Sequence, residues 1–185
     1  MNPPQNISAH STLDRARHMA NIPTPKSIVV GIADMAASND SSVEIITYSL
    51  GSCLGITVYD PVKRVGGMLH LMLPDSSVNT AKAANRPFAF VDTGIPRLFH
   101  AVYSLGGVKE RLEVRVAGGA QFLDANKFFN IGQRNIAATR EILTRNLVSV
   151  RSEDLGGTES RTLRFSLWDG AVTVSTPGKP VYRLH

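Results

Sequence analysis

The chain has 185 residues, 43% of them apolar and 19% charged, a balance typical of a folded domain with one hydrophobic core. No stretch approaches the roughly 20 uninterrupted apolar residues of a membrane span, and the N-terminus lacks the apolar centre of a secretory signal. We therefore expect a cytoplasmic protein without direct membrane insertion. The net charge of +5 comes from scattered Lys and Arg residues, which argues against a nucleic-acid partner.

The first half of the chain predicts a tail followed by strands. Residues 1–25 are polar and rich in proline, so we expect a flexible N-terminal tail before a single domain over residues 26–185. β-Branched content predicts strands at 27–33, 43–48, 54–60 and 65–73. Because Asp60-Pro61 is typical of a turn, the last two strands should form an antiparallel hairpin.

The second half adds two helices. Apolar residues at helical spacing predict a helix within 88–107, although Pro96 weighs against it unless it lies in the first turn. A second amphipathic helix is predicted over 130–147, with one apolar face formed by Ile136, Leu143 and Leu147.

Four further strands are predicted at 112–120, 147–153, 161–168 and 171–175. Asp169-Gly170 is a strong signal for a hairpin between the last two. About eight strands and two helices indicate a mixed α/β domain.

Cys53 is the single cysteine, so it forms no internal disulfide and no cysteine-based metal cluster. If the hairpin turn centres between Pro61 and Val62, Cys53 pairs with His70, and a slip of one or two residues keeps them neighbours. A thiol beside an imidazole is the minimal pair for cysteine nucleophilic catalysis. A buried apolar cysteine and a core histidine are the alternative, and spacing alone leaves both open.

The residues before Cys53 are suited to such a site. Gly51 and Ser52 leave room for substrate, and their N–H groups are candidates to bind an oxyanion. Thr47, at the end of the preceding strand, carries a hydroxyl that could orient His70, which is the third role in a triad.

Six segments resemble one family in their order and spacing: LGSC, YDP, GGMLHLMLP, AGGAQF, NIGQRN and LGGTESR. They are similar to the CheD family, the chemoreceptor glutamine deamidases of bacterial and archaeal chemotaxis, over residues 27–176. The resemblance implies Cys53, His70 and Thr47 as catalytic residues. It also implies an α/β/β three-layer sandwich with mostly antiparallel strands and two main helices, similar to the deamidase domain of cytotoxic necrotizing factor toxins.

The activity implied is conversion of specific glutamine side chains of methyl-accepting chemotaxis proteins to glutamate, with release of ammonia through a thioester. The substrate would lie on the cytoplasmic helices of a chemoreceptor, and a CheC-type phosphatase is implied as a second partner. No cofactor is needed. The remaining histidines form no credible metal cluster, so no metal is expected.

The glycine-containing segments lack the P-loop and Rossmann spacings, so we interpret them as tight turns. The resemblance places them at the rim of the site. There Thr158 and Ser160 are candidate substrate contacts, and Asn130, Arg134 and Asn135 are candidates to support the catalytic groups.

The chain departs from the family pattern at two positions near these segments. Leu69 stands where asparagine is common, and we expect it to alter the pocket wall. Ser160 stands where glycine is common.

Two other functions remain open from the sequence. One is a non-catalytic regulator that binds and stimulates a CheC-type phosphatase, for which a Cys53 unreactive to iodoacetamide would be the indication. The other is a general cysteine amidase, which would release ammonia from free glutamine.

Overall fold

The computed structural model describes residues 26–121 and 130–185, so the tail expected over residues 1–25 lies outside the described residues. Ten strands are found there: β1 Lys26–Val29, β2 Asp34–Ser38, β3 Val43–Leu50, β4 Leu54–Asp60, β5 Val65–Leu71, β6 Glu113–Gly118, β7 Val150–Leu155, β8 Arg161–Ser166, β9 Val172–Ser175 and β10 Tyr182–Leu184. Helices are α1 Thr80–Asn85, α2 Val91–Ser104 and α3 Ile131–Arg145, with short 3-10 turns at Ser76–Asn79, Pro87–Ala89 and Lys109–Arg111.

The strands form two five-stranded sheets. The central sheet has the order β2-β5-β4-β6-β7, and the outer sheet has the order β1-β3-β8-β9-β10. Pairing is antiparallel except for β6 with β7 and β1 with β3. Mostly antiparallel pairing agrees with the sequence prediction.

Two apolar cores lie between three layers. One joins the helices to the central sheet and includes Leu54, Ile56, Leu69, Leu71, Ile95, Leu98, Ile136 and Leu143. The other joins the central sheet to the outer sheet and includes Tyr59, Met68, Ala117, Ile45, Leu50, Leu163 and Phe165. Each fully buried Leu, Ile or Phe contributes about 1.5–3 kcal/mol. The predicted α/β/β sandwich is therefore confirmed.

Two strands were missed by the prediction, and both are edge strands. The sequence of β2 is DMAAS, which has neither β-branched residues nor apolar alternation. It becomes a strand because it pairs along β5. Strand β10 pairs with β9. It has only three residues, which are too few for a sequence pattern to reveal a strand.

The helix predictions were correct in position and wrong in one detail each. Pro96 lies inside α2 rather than in its first turn, and it is exposed. Pro96 has no N–H, so the carbonyl of Asp92 lacks its usual helical donor, and Asp92 is itself exposed to water. Leu147 lies beyond the end of α3, is 87% exposed and has a positive φ of 55°, so it is not part of the apolar face.

The β4–β5 hairpin has a longer turn than predicted. Asp60 accepts hydrogen bonds from the N–H groups of Val62 (2.9 Å) and Lys63 (3.1 Å), and Asp60 pairs with Val65. The turn therefore spans residues 61–64. The register differs by two residues from the predicted one, within the slip that the sequence argument allowed.

Arg111 locks the same carboxylate in place. Its Nε and Nη2 donate to Asp60 at 3.1 and 2.7 Å. Burial alone would raise the pKa of Asp60, but the hydrogen bonds from Arg111 and from backbone N–H groups lower it to about 2. Asp60 thus fixes the register of β4 on β5, and with it the position of the residues at the other end of the hairpin.

Candidate active site

Thr47 and His70 meet between the two sheets. Thr47 lies on β3 of the outer sheet and His70 on β5 of the central sheet, and both are buried, with exposures of 0% and 1%. The Thr47 Oγ1 lies 2.8 Å from the His70 Nδ1 and 2.8 Å from the carbonyl oxygen of Val30. One hydroxyl therefore connects the histidine ring to the backbone of β1's C-terminal extension.

The protons in this pair can be assigned. A threonine hydroxyl has one proton, and the Val30 carbonyl can only accept, so Thr47 donates to Val30. The His70 Nδ1 must then carry a proton and donate it to Thr47. In a neutral imidazole this leaves Nε2 unprotonated, and Nε2 has no hydrogen-bond partner among the described residues. His70 is thus held as the tautomer whose Nε2 can accept a proton.

Cys53 lies one residue before β4, and its side chain packs against the core between the two sheets. Gly55 pairs directly with His70, so Cys53 is the diagonal neighbour of the histidine on the same side of the sheet. The structure thus joins Thr47 to His70 and places Cys53 diagonally from the histidine, in the bend before β4 rather than paired with it. No hydrogen bond joins the Cys53 sulfur to the His70 ring.

Burial keeps both reactive groups uncharged. It raises the pKa of the Cys53 thiol, a shift that the residue's own backbone N–H partly offsets. It also lowers the pKa of His70 from 6.5 to about 4. At neutral pH the pair is therefore a thiol and an imidazole rather than a thiolate and an imidazolium.

The carbonyl groups of the three residues 51–53 are each fixed by a donor. Ala120 N–H donates to the carbonyl of Gly51 and Gly119 N–H to that of Cys53, both at 2.8 Å. The side chain of Asn135 donates to the carbonyl of Ser52 at 3.0 Å. This segment, which we call the nucleophile loop, is therefore held rigidly along its length.

The AGGAQF segment must approach the nucleophile loop closely. Gly118 has a φ of 116°, and a Cβ atom there would lie 2.3 Å from the Cys53 carbonyl oxygen. Only glycine meets both conditions. The predicted tight turn at this strand end is thus also the support of the nucleophile loop.

The predicted oxyanion donors differ in availability. The N–H of Gly51 is already donated to the carbonyl of Ser49, at 2.9 Å, so Gly51 is not a free donor. The N–H groups of Ser52 and Cys53 donate to no other described residue. The Cys53 N–H also lies near its own thiol, since it lowers the pKa of that group.

The three candidates on the NIGQRN segment have different surroundings. Asn130 caps the N-terminus of α3, and Arg134 is exposed. Asn135 is fully buried and donates to the carbonyls of Ser52 and Met72, at 3.0 and 3.1 Å. Only Asn135 contacts the nucleophile loop.

Thr158 and Ser160 lie on the loop between β7 and β8, where Thr158 is exposed and Ser160 half-buried. Neither makes a side-chain hydrogen bond within the described part of the chain. The loop is held by Arg161, which pairs with both carboxylate oxygens of Asp154 at 2.7 and 2.9 Å and donates to the Gly156 carbonyl. Sequence reasoning missed this pair, because no spacing rule links the two residues.

The expectation that Leu69 alters the pocket wall was wrong. Alternation along β5 points Leu69 and His70 to opposite faces of the central sheet. Leu69 is fully buried in the core beneath the helices, whereas His70 faces the outer sheet.

No group of three or more His, Cys, Asp or Glu side chains within residues 26–121 and 130–185 is placed to hold a metal ion. In the same part of the chain, no helix combines the length and the apolar character needed to cross a membrane.

The fold and the site together define a class of protein. It is an α/β/β sandwich in which a cysteine before one central strand adjoins a histidine on the next, and a threonine of the outer sheet binds that histidine.

Known proteins place the chain more narrowly. A family model described as CheD chemotactic sensory transduction matches residues 72–176, more than half of the chain. A probable chemoreceptor glutamine deamidase CheD 1 of Syntrophus aciditrophicus is 46% identical over 157 residues, which cover 85% of this chain and 98% of that protein. A probable chemoreceptor glutamine deamidase CheD 2 of Anaeromyxobacter dehalogenans is 47% identical over 149 residues, covering 80% and 94%.

The chain therefore belongs to the CheD family, and the resemblance found in its sequence is confirmed. The range matched by the family model begins at residue 72, beyond Thr47, Cys53 and His70, whereas the matches to the relatives extend over most of the chain.

Proposed function

We propose that this protein is a chemoreceptor glutamine deamidase, acting in the cytoplasm on glutamine side chains of chemoreceptor helices with Cys53 as the nucleophile. The names of its relatives support the reaction. The observation that carries the nucleophile assignment is the Thr47–His70 hydrogen bond, which leaves Nε2 of His70 as a base beside the single thiol.

The reaction begins from the neutral pair. The His70 Nε2 takes the proton from the Cys53 sulfur as that sulfur attacks the carboxamide carbon of the substrate. The carbonyl π electrons move to oxygen, and the resulting oxyanion is stabilised by the Cys53 N–H. Proton transfer accompanies attack because burial disfavours the charged form of both groups before substrate binds.

The intermediate then loses ammonia. The imidazolium of His70 donates the proton on Nε2 to the leaving nitrogen, the C–N bond breaks, and a thioester to Cys53 remains. Water attacks the thioester while Nε2 accepts one of its protons. Collapse of the second intermediate breaks the C–S bond and releases glutamate, and the imidazolium returns its proton to the thiolate.

Mass spectrometry of a chemoreceptor cytoplasmic fragment incubated with the protein tests this proposal. Each deamidated glutamine gains ~1 Da when the amide becomes an acid. Free glutamine serves as a second substrate, because ammonia release from it would instead indicate a general amidase. An unchanged receptor fragment in the presence of the folded wild-type protein would contradict the proposal.

A CheC-type phosphatase is proposed as a second partner on the family resemblance alone. Calorimetric titration with a purified CheC-type phosphatase tests it, with Cys53→Ala used to keep the protein catalytically inactive. Absence of binding heat at tens of micromolar protein would remove this partner from the proposal.

A further inference from the structure

Asn135 is a buried side chain whose amide nitrogen is hydrogen-bonded within the described residues and whose amide oxygen is not. Its Nδ2 donates to the carbonyls of Ser52, next to Cys53, and of Met72, two residues after His70. Its Oδ1 is buried and has no partner among the described residues. A buried amide that leaves its acceptor unpaired lowers stability. A selected role for the two donor bonds would account for an amide at this position.

The Ser52 carbonyl and the Cys53 N–H belong to one peptide unit. That unit is planar and trans, so its C=O and N–H point in opposite directions. Because Asn135 draws the Ser52 carbonyl towards α3, the Cys53 N–H must point away from α3. This N–H makes no hydrogen bond to another of the described residues, and it lies near the sulfur of Cys53 itself.

We propose that Asn135 is the positioning residue of the oxyanion site, because its hold on the Ser52 carbonyl fixes the direction of the Cys53 N–H. The catalytic role rests on the proposed function, whereas the direction of the N–H group does not depend on it. The second bond, to Met72, ties the same side chain to the strand end that carries His70. Asn135 thus fixes the oxyanion donor relative to the base.

The test compares Asn135→Leu with Thr139→Val. Leucine has the same branched shape, with methyl groups in place of the amide oxygen and nitrogen, and it removes both donors. Thr139 is one helical turn further along α3, is 2% exposed and has a hydroxyl without a partner among the described residues, so it is a matched buried polar residue that makes no hydrogen bond to the nucleophile loop.

The first readout is the direction of the Cys53 N–H, measured by its residual dipolar coupling in an aligned, isotope-labelled sample. We expect the coupling to change in Asn135→Leu and to stay at the wild-type value in Thr139→Val. An unchanged coupling in folded Asn135→Leu overturns the inference, whether or not the wild-type protein deamidates receptors. Failure of the wild-type protein to deamidate would overturn the proposed function instead.

The second readout is kinetic. Loss of one oxyanion donor costs about 10²–10³ in kcat, so misdirecting one should lower kcat by about 10–100-fold with KM within about twofold. Alkylation of Cys53 by iodoacetamide displaces iodide and builds no oxyanion, so its limiting rate at high pH, where the thiol is fully ionised, should be unchanged. A parallel loss of alkylation, or a change in KM alone, would indicate general disruption and contradict the assigned role.

Asn135→Asp covers the case in which the leucine variant does not fold. A carboxyl group of the same shape donates only when protonated, and burial raises its pKa. Its kcat should therefore fall as pH rises through that pKa, in a limb that the wild-type profile lacks. A wild-type pH profile with wild-type kcat in Asn135→Asp overturns the inference.

Discussion

Thr47→Val replaces the hydroxyl that binds His70 with a methyl group of nearly the same size. The side chain is fully buried, so no water replaces the lost group, and two partners are affected. The His70 Nδ1–H loses its acceptor and the Val30 carbonyl loses its donor. At about 1–3 kcal/mol for each of the two buried groups left unpaired, we expect the free energy of unfolding to fall by about 2–6 kcal/mol.

The effect on rate follows from the histidine tautomer. Without the acceptor at Nδ1, the ring can place its proton on Nε2, where it no longer accepts a proton from Cys53. A preference reduced by about 1.4–2.7 kcal/mol corresponds to a rate about 10–100-fold lower. Thr47→Ser keeps the hydroxyl and should retain most activity. Cys53→Ala should be inactive by comparison.

Two assays separate the tautomer from other causes. Ammonia release from a receptor fragment gives kcat, and imidazole ¹⁵N chemical shifts of His70 show which nitrogen carries the proton. If Thr47→Val were folded and as active as the wild type, the hydroxyl would have no catalytic role. If Thr47→Ser were as inactive as Cys53→Ala, the methyl group or the backbone of Thr47 would be responsible, and this account would be wrong.

Three further outcomes are expected. Cys53→Ala should unfold with a free energy about 1 kcal/mol lower in urea and show no deamidation, and residual activity above a few per cent would refute the nucleophile assignment. The pKa of His70 is lowered from 6.5 to about 4, so the unfolded chain binds more protons than the folded protein between these two pH values. Wild-type stability should therefore fall by up to roughly 3 kcal/mol as the pH drops from above 6.5 to below about 4. His70→Asn should lack that part of the pH dependence in urea titrations, and parallel curves would contradict the assigned cause. Asp60→Asn should lower stability by about 1–3 kcal/mol, because the buried amide cannot accept every hydrogen bond that the carboxylate accepts from Arg111 and from backbone N–H groups, and a variant as stable as the wild type would show that these bonds are dispensable.

The sequence predicted the fold class well because the longer strands and helices carry their own periodicity. Strands β3, β4, β5 and β8 and both long helices lie where the pattern placed them. The features that the sequence pattern missed depend on contacts with residues distant in the chain, or on where an element ends. Strand β2 forms only because the edge of β5 is available, and Leu147 is exposed because the helix ends before it.

The sequence could place Cys53 near His70 despite an error in the hairpin register, and the reason is physical. A hairpin register wrong by two residues still leaves Cys53 and His70 as diagonal neighbours, because side chains repeat on one face every second residue. The sequence could not predict that the N–H of Gly51 is occupied, or which of Asn130, Arg134 and Asn135 reaches the nucleophile loop. Both depend on loop backbone directions, which no residue pattern encodes.

The buried Thr47–His70 pair also explains how a neutral site can work without a carboxylate. The aspartate of a serine triad holds the histidine tautomer and stabilises the imidazolium that forms during the reaction. Here the partner of His70 is an uncharged hydroxyl, and burial lowers the pKa of His70 and raises that of Cys53, so the resting pair is neutral. An uncharged hydroxyl that already donates to Val30 can only accept from the ring, and this single restriction selects the basic Nε2. Charge then appears only when substrate is attacked, where the Cys53 N–H can bind the oxyanion. A thiol tolerates this arrangement because it releases its proton more readily than a serine hydroxyl does.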